Sequence, residues 1–258
     1  VKLRHLFLSP HFDDAVGSCG GTIARLLAVG DEVRIVTLFG GVETEPFSLP
    51  ARILHEEWNL DEPVRQRRLE DASACVVLGC ESSYLEFPDA IYRRDSTGRH
   101  LYPTFDSLRG DLARADDRLA ESVAAALQDD LSAETVVYCP MAIGAHVDHV
   151  VARDCGRILE TWRYTVVYYR DFYYDRESND AVAGTPGQDI VVLLTPHERD
   201  RKFAAFSEYK SQLRELFGGP EGAQSYFAAM GTSEMMLLPR QETSGSIDAL
   251  RSTLRAQS

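Results

Sequence analysis

Ser9-Pro10-His11-Phe12-Asp13-Asp14-Ala15 sets two acids beside a histidine, and His146-Val147-Asp148-His149 sets two further imidazoles around a third acid. Imidazole and carboxylate donors together suit a borderline divalent ion such as zinc, bound by three protein ligands with one position left to water. The chemistry of such a site is hydrolytic. The five cysteines, Cys19, Cys75, Cys80, Cys139 and Cys155, include no C-x-x-C pair. A closed thiolate site is therefore not indicated, and each thiol is expected to behave as a small buried hydrophobe. No cluster of oxygen ligands alone points to calcium or magnesium. The first motif taken singly also has a structural reading as a helix cap, because Asp caps well; the second motif is what favours chemistry.

The two motifs offer six candidates where three ligands suffice. His11 and Asp14, three apart in a turn, point to one centre, while Asp13 between them projects elsewhere and is free to act on the bound water. His149 is the natural third ligand. His146 lies three residues earlier on the same helical face and reaches over the substrate side. Asp148 then fits the orienting of an imidazole, as carboxylates behind metal ligands do.

For the motifs to meet, both must be delivered to one sheet edge. Residues 3–8 form a short apolar run, read as a strand, and the first motif follows it directly. Gly20-Gly21-Thr22 opens a helix carrying Ile23, Leu26 and Leu27, and residues 33–39 are a β-branched run bounded by Gly40-Gly41. Strand, helix and strand make a right-handed βαβ unit. Further strands are expected at residues 84–87, 136–139, 165–169 and 190–194, with helices at 62–78, 108–131, 146–162 and 199–216. The second motif follows the strand at 136–139, and in open parallel sheets ligands bind outside the carboxyl ends of strands. Repeated alternation predicts an α/β fold in three layers.

Three long stretches, residues 41–61, 89–107 and 171–188, are expected to be irregular and to serve as lids or binding loops. Residues 242–258 form a short terminal helix or a frayed end. Tyr168, Tyr169, Phe172, Tyr173 and Tyr174 are expected to pack, with a sugar-stacking wall as the functional alternative. His5, His55, His100 and His197 read as structural, His100 being the nearest of them to a substrate contact.

Composition narrows the partners. The 258 residues carry a net charge of −13, 44% hydrophobic and 26% charged side chains, which fits an ordinary globular chain and disfavours nucleic acid and anionic lipid. No apolar run approaches the ~20 residues of a membrane helix, so a cytoplasmic protein is expected. Oligomeric state is not readable, and a homo-oligomer is compatible with the sequence. Gly17-Ser18-Cys19-Gly20-Gly21 lacks the G-x-G-x-x-G spacing of a dinucleotide loop. A non-catalytic metal- or sugar-binding module is the other alternative.

The paired motifs resemble those of the LmbE-like or PIG-L type zinc N-acetylglucosaminyl deacetylases, H-P-D-D-E after the first strand and H-x-D-H later. Supporting likeness runs through Arg67-Arg68-Leu69-Glu70, Leu78-Gly79, Phe87-Pro88-Asp89, Lys202 and Tyr209-Lys210-Ser211-Gln212, over most of residues 3–215. The resemblance implies a Rossmann-like α/β/α fold with a mostly parallel sheet, residues 1–258 forming one domain. It implies zinc on His11, Asp14 and His149, Asp13 as general base, His146 as charge stabiliser, and Arg67 and Asp89 on the substrate side. The substrate would be a small N-acetylated amino-sugar compound, cleaved to acetate and a free amine, with Asp13 or His146 protonating the leaving nitrogen. Two positions depart from the family pattern, Phe12 for Pro and Ala15 for Glu.

Overall fold

Seven strands lie side by side in the order β3-β2-β1-β4-β5-β7-β6 in a computed structural model, which describes residues 2–42, 45–172, 187–229, 233–239 and 245–255. β1 (Arg4–Ser9), β2 (Glu32–Thr37), β3 (Glu81–Tyr84), β4 (Thr135–Pro140) and β5 (Thr165–Tyr169) are parallel, and β7 (Ser233–Pro239) runs antiparallel between β5 and the edge strand β6 (Gly187–Leu193). Side chains alternate along each strand between the two faces. Phe7, Ile35, Tyr138 and Val167 pack on one side with α1 (Asp14–Ala28) and α3 (Pro63–Leu78). Leu6, Leu8, Val137 and Val166 pack on the other with α4 (Leu119–Ala126) and α5 (Val147–Thr161). This is the expected three-layer α/β/α architecture, and no helix among the described residues is long and apolar enough to cross a membrane.

Several elements differ from their sequence reading. The first helix starts at Asp14, not at the glycine pair. Glycines 17, 20 and 21 lie inside it because neighbours come close. A Cβ on Gly20 would stand 2.9 Å from Lys202 Cγ, and one on Gly21 2.5 Å from Leu194 Cδ1. Close packing there offsets the ~1 kcal/mol helix cost of each glycine, and Gly17-Ser18-Cys19-Gly20-Gly21, which lacks the dinucleotide-loop spacing, is helix interior. Residues 41–61 are not wholly irregular, since α2 (Leu49–Trp58) forms behind Ser48, whose side chain accepts from Ala51 N.

The strand expected at 84–87 pairs earlier, at Glu81–Tyr84, leaving a single bridge between Phe39 and Glu86. The long helix expected at 108–131 is α-helical only at α4. Before it, Arg114–Asp116 forms a 3₁₀ turn whose Asp116 is drawn inward to Arg93 and Tyr102. The helix expected at 199–216 is two, α6 (Pro196–Phe206) and α7 (Lys210–Phe217). They break where the Tyr209 hydroxyl donates to Asp71 at 2.7 Å and Ser211 bonds Glu70, which pulls the chain onto α3. The terminal stretch forms α9 (Gly245–Arg255), tied to α1 where Arg25 Nη1 donates to Leu254 O at 2.9 Å. α8 (Pro220–Ala229) and β7 had no reading in the sequence. Of residues 171–188, positions 173–186 lie outside the described residues, Tyr173 and Tyr174 among them.

Candidate active site

The two motifs meet at the carboxyl ends of β1 and β4, which are hydrogen-bonded neighbours. β1 ends at Ser9, whose Oγ donates to His11 O at 2.6 Å and accepts from Ala15 N at 3.0 Å. That side chain closes the turn in which His11 N donates to Asp14 Oδ2 at 2.8 Å. After β4, Ala142 (φ 63°) and Ala145 (φ 53°) adopt left-handed backbone. Non-glycine residues take that conformation at a cost, and such strain concentrates at functional sites. Here it sets His146 as the N-cap of α5, its Nδ1 accepting from Asp148 N at 3.3 Å.

Three donor atoms converge. Asp14 Oδ2 lies 3.3 Å from His11 Nδ1 and 3.4 Å from His149 Nε2. Two donors at zinc bond lengths of ~2.05 Å on a tetrahedron stand about 3.3 Å apart, so the spacing fits such an ion. The opposite ring nitrogens are held by carboxylates: His11 Nε2 is 3.0 Å from Asp148 Oδ2, and His149 Nδ1 is 2.5 Å from Asp171 Oδ1. Carboxylates behind imidazole ligands are the usual support of a metal site. A second possible group, His11, His146 and Asp148, also clusters. Both oxygens of Asp148 are already engaged, however, Oδ2 by His11 and Ala90 N, and Oδ1 by Arg93 at 2.5 Å.

Among the protein's own groups the electrostatics divide the acids. Burial pushes Asp13 up to about 7, and the charge of Asp14 adds to this against the pull of Arg67. Burial also acts on Asp14, but His149 and His11 hold it well below the ordinary carboxylate range. Burial opposes the charging of His149, yet Asp14 and Asp171 lift it to about 10. For His11, burial is likewise outweighed, by Asp89, Asp14 and Asp148, and its affinity for a proton rises. His146 goes the other way, pushed well below its ordinary value by burial and the nearby charge of His11. Burial acts against the charge of both Asp148 and Asp89, yet Arg93 holds Asp148 low while burial raises Asp89. Metal binding by such imidazoles displaces their protons.

The triad opens into a cavity of about 440 Å³ lined by His11, Asp13, Asp14, Arg67, Asp89 and His146. Its outer walls include Leu54, Trp58, Phe105, Leu108 and Phe172, together with Glu57, Asp106 and Glu215. Arg67 Nη2 is 3.7 Å from Asp13 Oδ1, and its guanidinium stacks on Trp58 at 4.4 Å. Asp89 Oδ2 is 3.6 Å from His11 Nε2. Every site residue expected from the sequence is thus in or directly behind this cavity. Ala15 is buried in the core, and Phe12 packs against Tyr84 and Arg67.

Of the other expectations, Tyr168 and Tyr169 are core residues, and Phe172 alone of that cluster's described members lines the cavity. His5 is buried between Tyr138 and Asp31, and His55 Nε2 lies 2.7 Å from the Tyr92 hydroxyl. His100 pairs with Arg94 through the backbone, away from the cavity walls. Sequence reasoning overlooked Asp171 and Arg93. For Asp171 a signal existed, since an acid two residues past the end of a parallel strand stands at the same edge as the motifs.

The PIG-L family, described as GlcNAc-PI de-N-acetylase, matches residues 6–160. A 2'-N-acetylparomamine deacetylase of Niallia circulans is 32% identical over 232 residues, spanning 84% of this chain and 83% of that one. Among solved structures, the zinc inhibited form of teicoplanin deacetylase Orf2 superposes with a TM-score of 0.79 at 27% identity, covering 93% of this chain and 100% of that one. The A40926 pseudoaglycone deacetylase Dbv21 gives 0.74 at 26% identity over 95% of this chain and 100% of that one.

Proposed function

The chain belongs to the PIG-L family and is an N-deacetylase; we propose that it uses zinc to hydrolyse the acetamide of an amino-sugar-containing small molecule, releasing acetate and a free amine. The observation that carries this reading is the 3.3 and 3.4 Å spacing of His11 Nδ1 and His149 Nε2 about Asp14 Oδ2, beside a cavity that also holds Asp13. His11, Asp14 and His149 would hold the ion, which when bound supplies Lewis acidity to water and to the scissile carbonyl.

Asp13 takes the proton of the attacking water at its carboxylate. Burial favours its proton-bearing form, which suits a group that must take up a proton. Asp13 then returns that proton to the leaving nitrogen. His146 accepts a backbone hydrogen bond at Nδ1, so the neutral ring carries its proton at Nε2 and offers it to the developing oxyanion. Arg67 steadies Asp13 and, with Asp89, faces the sugar.

Glu57, Asp106 and Glu215 outnumber Arg109 on the outer walls, which disfavours an anionic phospholipid conjugate and favours an amino sugar carrying further amines, such as an aminoglycoside intermediate. The five free cysteines fit a reducing compartment, and we place the enzyme in the cytoplasm as one domain over residues 1–258.

Acetate release from a panel of N-acetylated aminoglycosides, glycopeptides and simple amino sugars tests the reading, before and after chelator treatment. Turnover lost to the chelator and restored by zinc is expected. Binding of these compounds with no acetate from any of them would instead leave a binding module on the same fold.

A further inference from the structure

Behind the triad runs a buried line of charges that the chemistry above leaves unused. Asp148 presents Oδ2 to His11 Nε2 and to Ala90 N, each at 3.0 Å, and Oδ1 to Arg93 Nη1 at 2.5 Å. On its far side Arg93 Nε lies 2.9 Å from Asp116 Oδ2, to which the Tyr102 hydroxyl also donates at 2.7 Å. The guanidinium stands 5.2 Å from the ring centroids of both Phe39 and Tyr102. Arg93 is 5% exposed and Asp148 fully buried.

A buried ion pair is weak evidence for stability, since a well-packed apolar replacement is often as good or better. The placement of this one points to the metal centre. His11 must turn Nδ1 toward Asp14 and donate from Nε2 to a fixed acceptor. Asp148 can be that acceptor only while it is held still, and both of its oxygens are engaged where it lies buried behind the cavity. Arg93 grips the oxygen that His11 does not use, and Asp116, the Pro88 carbonyl and the two rings fix Arg93. Asp171, which supports His149, is held differently, by Ile143 N at 3.0 Å.

We propose that Arg93 is a positioning residue for the metal centre, holding His11 through Asp148 and coupling the segment that carries Arg93 and Tyr102 to the ion. The proposal rests on the zinc reading given above. It predicts that metal affinity responds to a residue whose side chain touches neither ion nor substrate.

The test is the zinc dissociation constant, measured by competition with a chromophoric chelator, together with the visible spectrum of the cobalt-loaded protein. Circular dichroism of the metal-free variants checks the fold. Arg93→Met keeps much of the stem and removes the charge; zinc binding weaker by ~10–100-fold and shifted cobalt bands are expected, the range for residues that orient metal ligands. Arg93→Lys restores charge without the two-sided fork and should fall between Arg93→Met and the wild type. If Arg93→Met does not fold, Asp116→Asn decides, because it removes the outer anchor and leaves the Arg93–Asp148 pair; several-fold weaker zinc binding is expected. Folded variants with wild-type affinity and spectrum would overturn the proposal while leaving the zinc reading intact. A wild-type protein that binds neither ion would remove both.

Discussion

His149 Nδ1 lies 2.5 Å from Asp171 Oδ1, with both side chains buried. The pair fixes which nitrogen of His149 faces Asp14, and Ile143 N fixes Asp171 in turn. Asp171→Ala should weaken zinc binding by ~10–100-fold, as loss of such supporting carboxylates does. Chelator competition measures it. Wild-type affinity in a folded Asp171→Ala protein would mean that His149 is oriented by packing alone.

The neighbouring acids of the first motif should separate cleanly. Asp13→Asn leaves His11, Asp14 and His149 untouched, so zinc stays bound while turnover falls by ~10²-fold or more, the scale of general-base loss. Asp14→Asn should lose the metal instead. Zinc content and acetate release for the two variants side by side check the assignment, and the reverse pattern would exchange their roles.

Asp71 gives a pH dependence of stability that owes nothing to the metal. Burial pushes its carboxyl up to about 7 although the Tyr209 hydroxyl donates to it. An unfolded Asp titrates near ~3.9. Between those values the folded state holds a proton that the unfolded state has released, so stability falls as pH rises, and the cost is complete above pH ~7. Asp71→Asn should remove that slope. Urea midpoints of the two proteins at pH 5 and pH 8 measure it: the difference between variant and wild type should grow toward pH 8, and a constant difference would show Asp71 to be charged throughout.

Gly17→Ala sets helix propensity against packing. Alanine favours the helix by ~1 kcal/mol, but its Cβ would stand 2.5 Å from Phe172 Cδ1. Overpacking costs ~1–3 kcal/mol and should prevail. Because Phe172 lines the cavity, a lower Tm together with a raised KM is expected; a higher Tm with unchanged KM would show that the ring yields freely.

What the sequence disclosed follows from the range of the interactions. His11, Asp13 and Asp14 share one turn, and His146, Asp148 and His149 share one helix start, so their relations are local and their delivery after β1 and β4 follows from strand order. Arg93 could not be read, because its meaning is its approach to Asp148 and Asp116 from elsewhere in the chain. The start of α1 was misread for the same reason: Gly17, Gly20 and Gly21 are small because Phe172, Lys202 and Leu194 press on them. β7 escaped notice because Ser233–Pro239 has no β-branched residue and buries Glu234, whose carboxylate accepts from Gly21 N, Thr22 N and Lys202 Nζ.

The insertion of β7 between β5 and β6 also orders events during synthesis. The parallel strands β3, β2, β1, β4 and β5 are complete once Tyr169 has emerged, and they carry His11, Asp14 and His149. β6 is made next, but among the described strands it pairs only with β7, so it stays undocked until Ser233–Pro239 follows. Until then the outer edge of β5 is open, and an open strand edge invites pairing with other chains. A ribosome that stalls before Ser233 therefore holds the residues of the triad beside a strand edge that still lacks its partner, and arrival of β7 both pairs that edge and delivers Glu234 to the buried amides of α1.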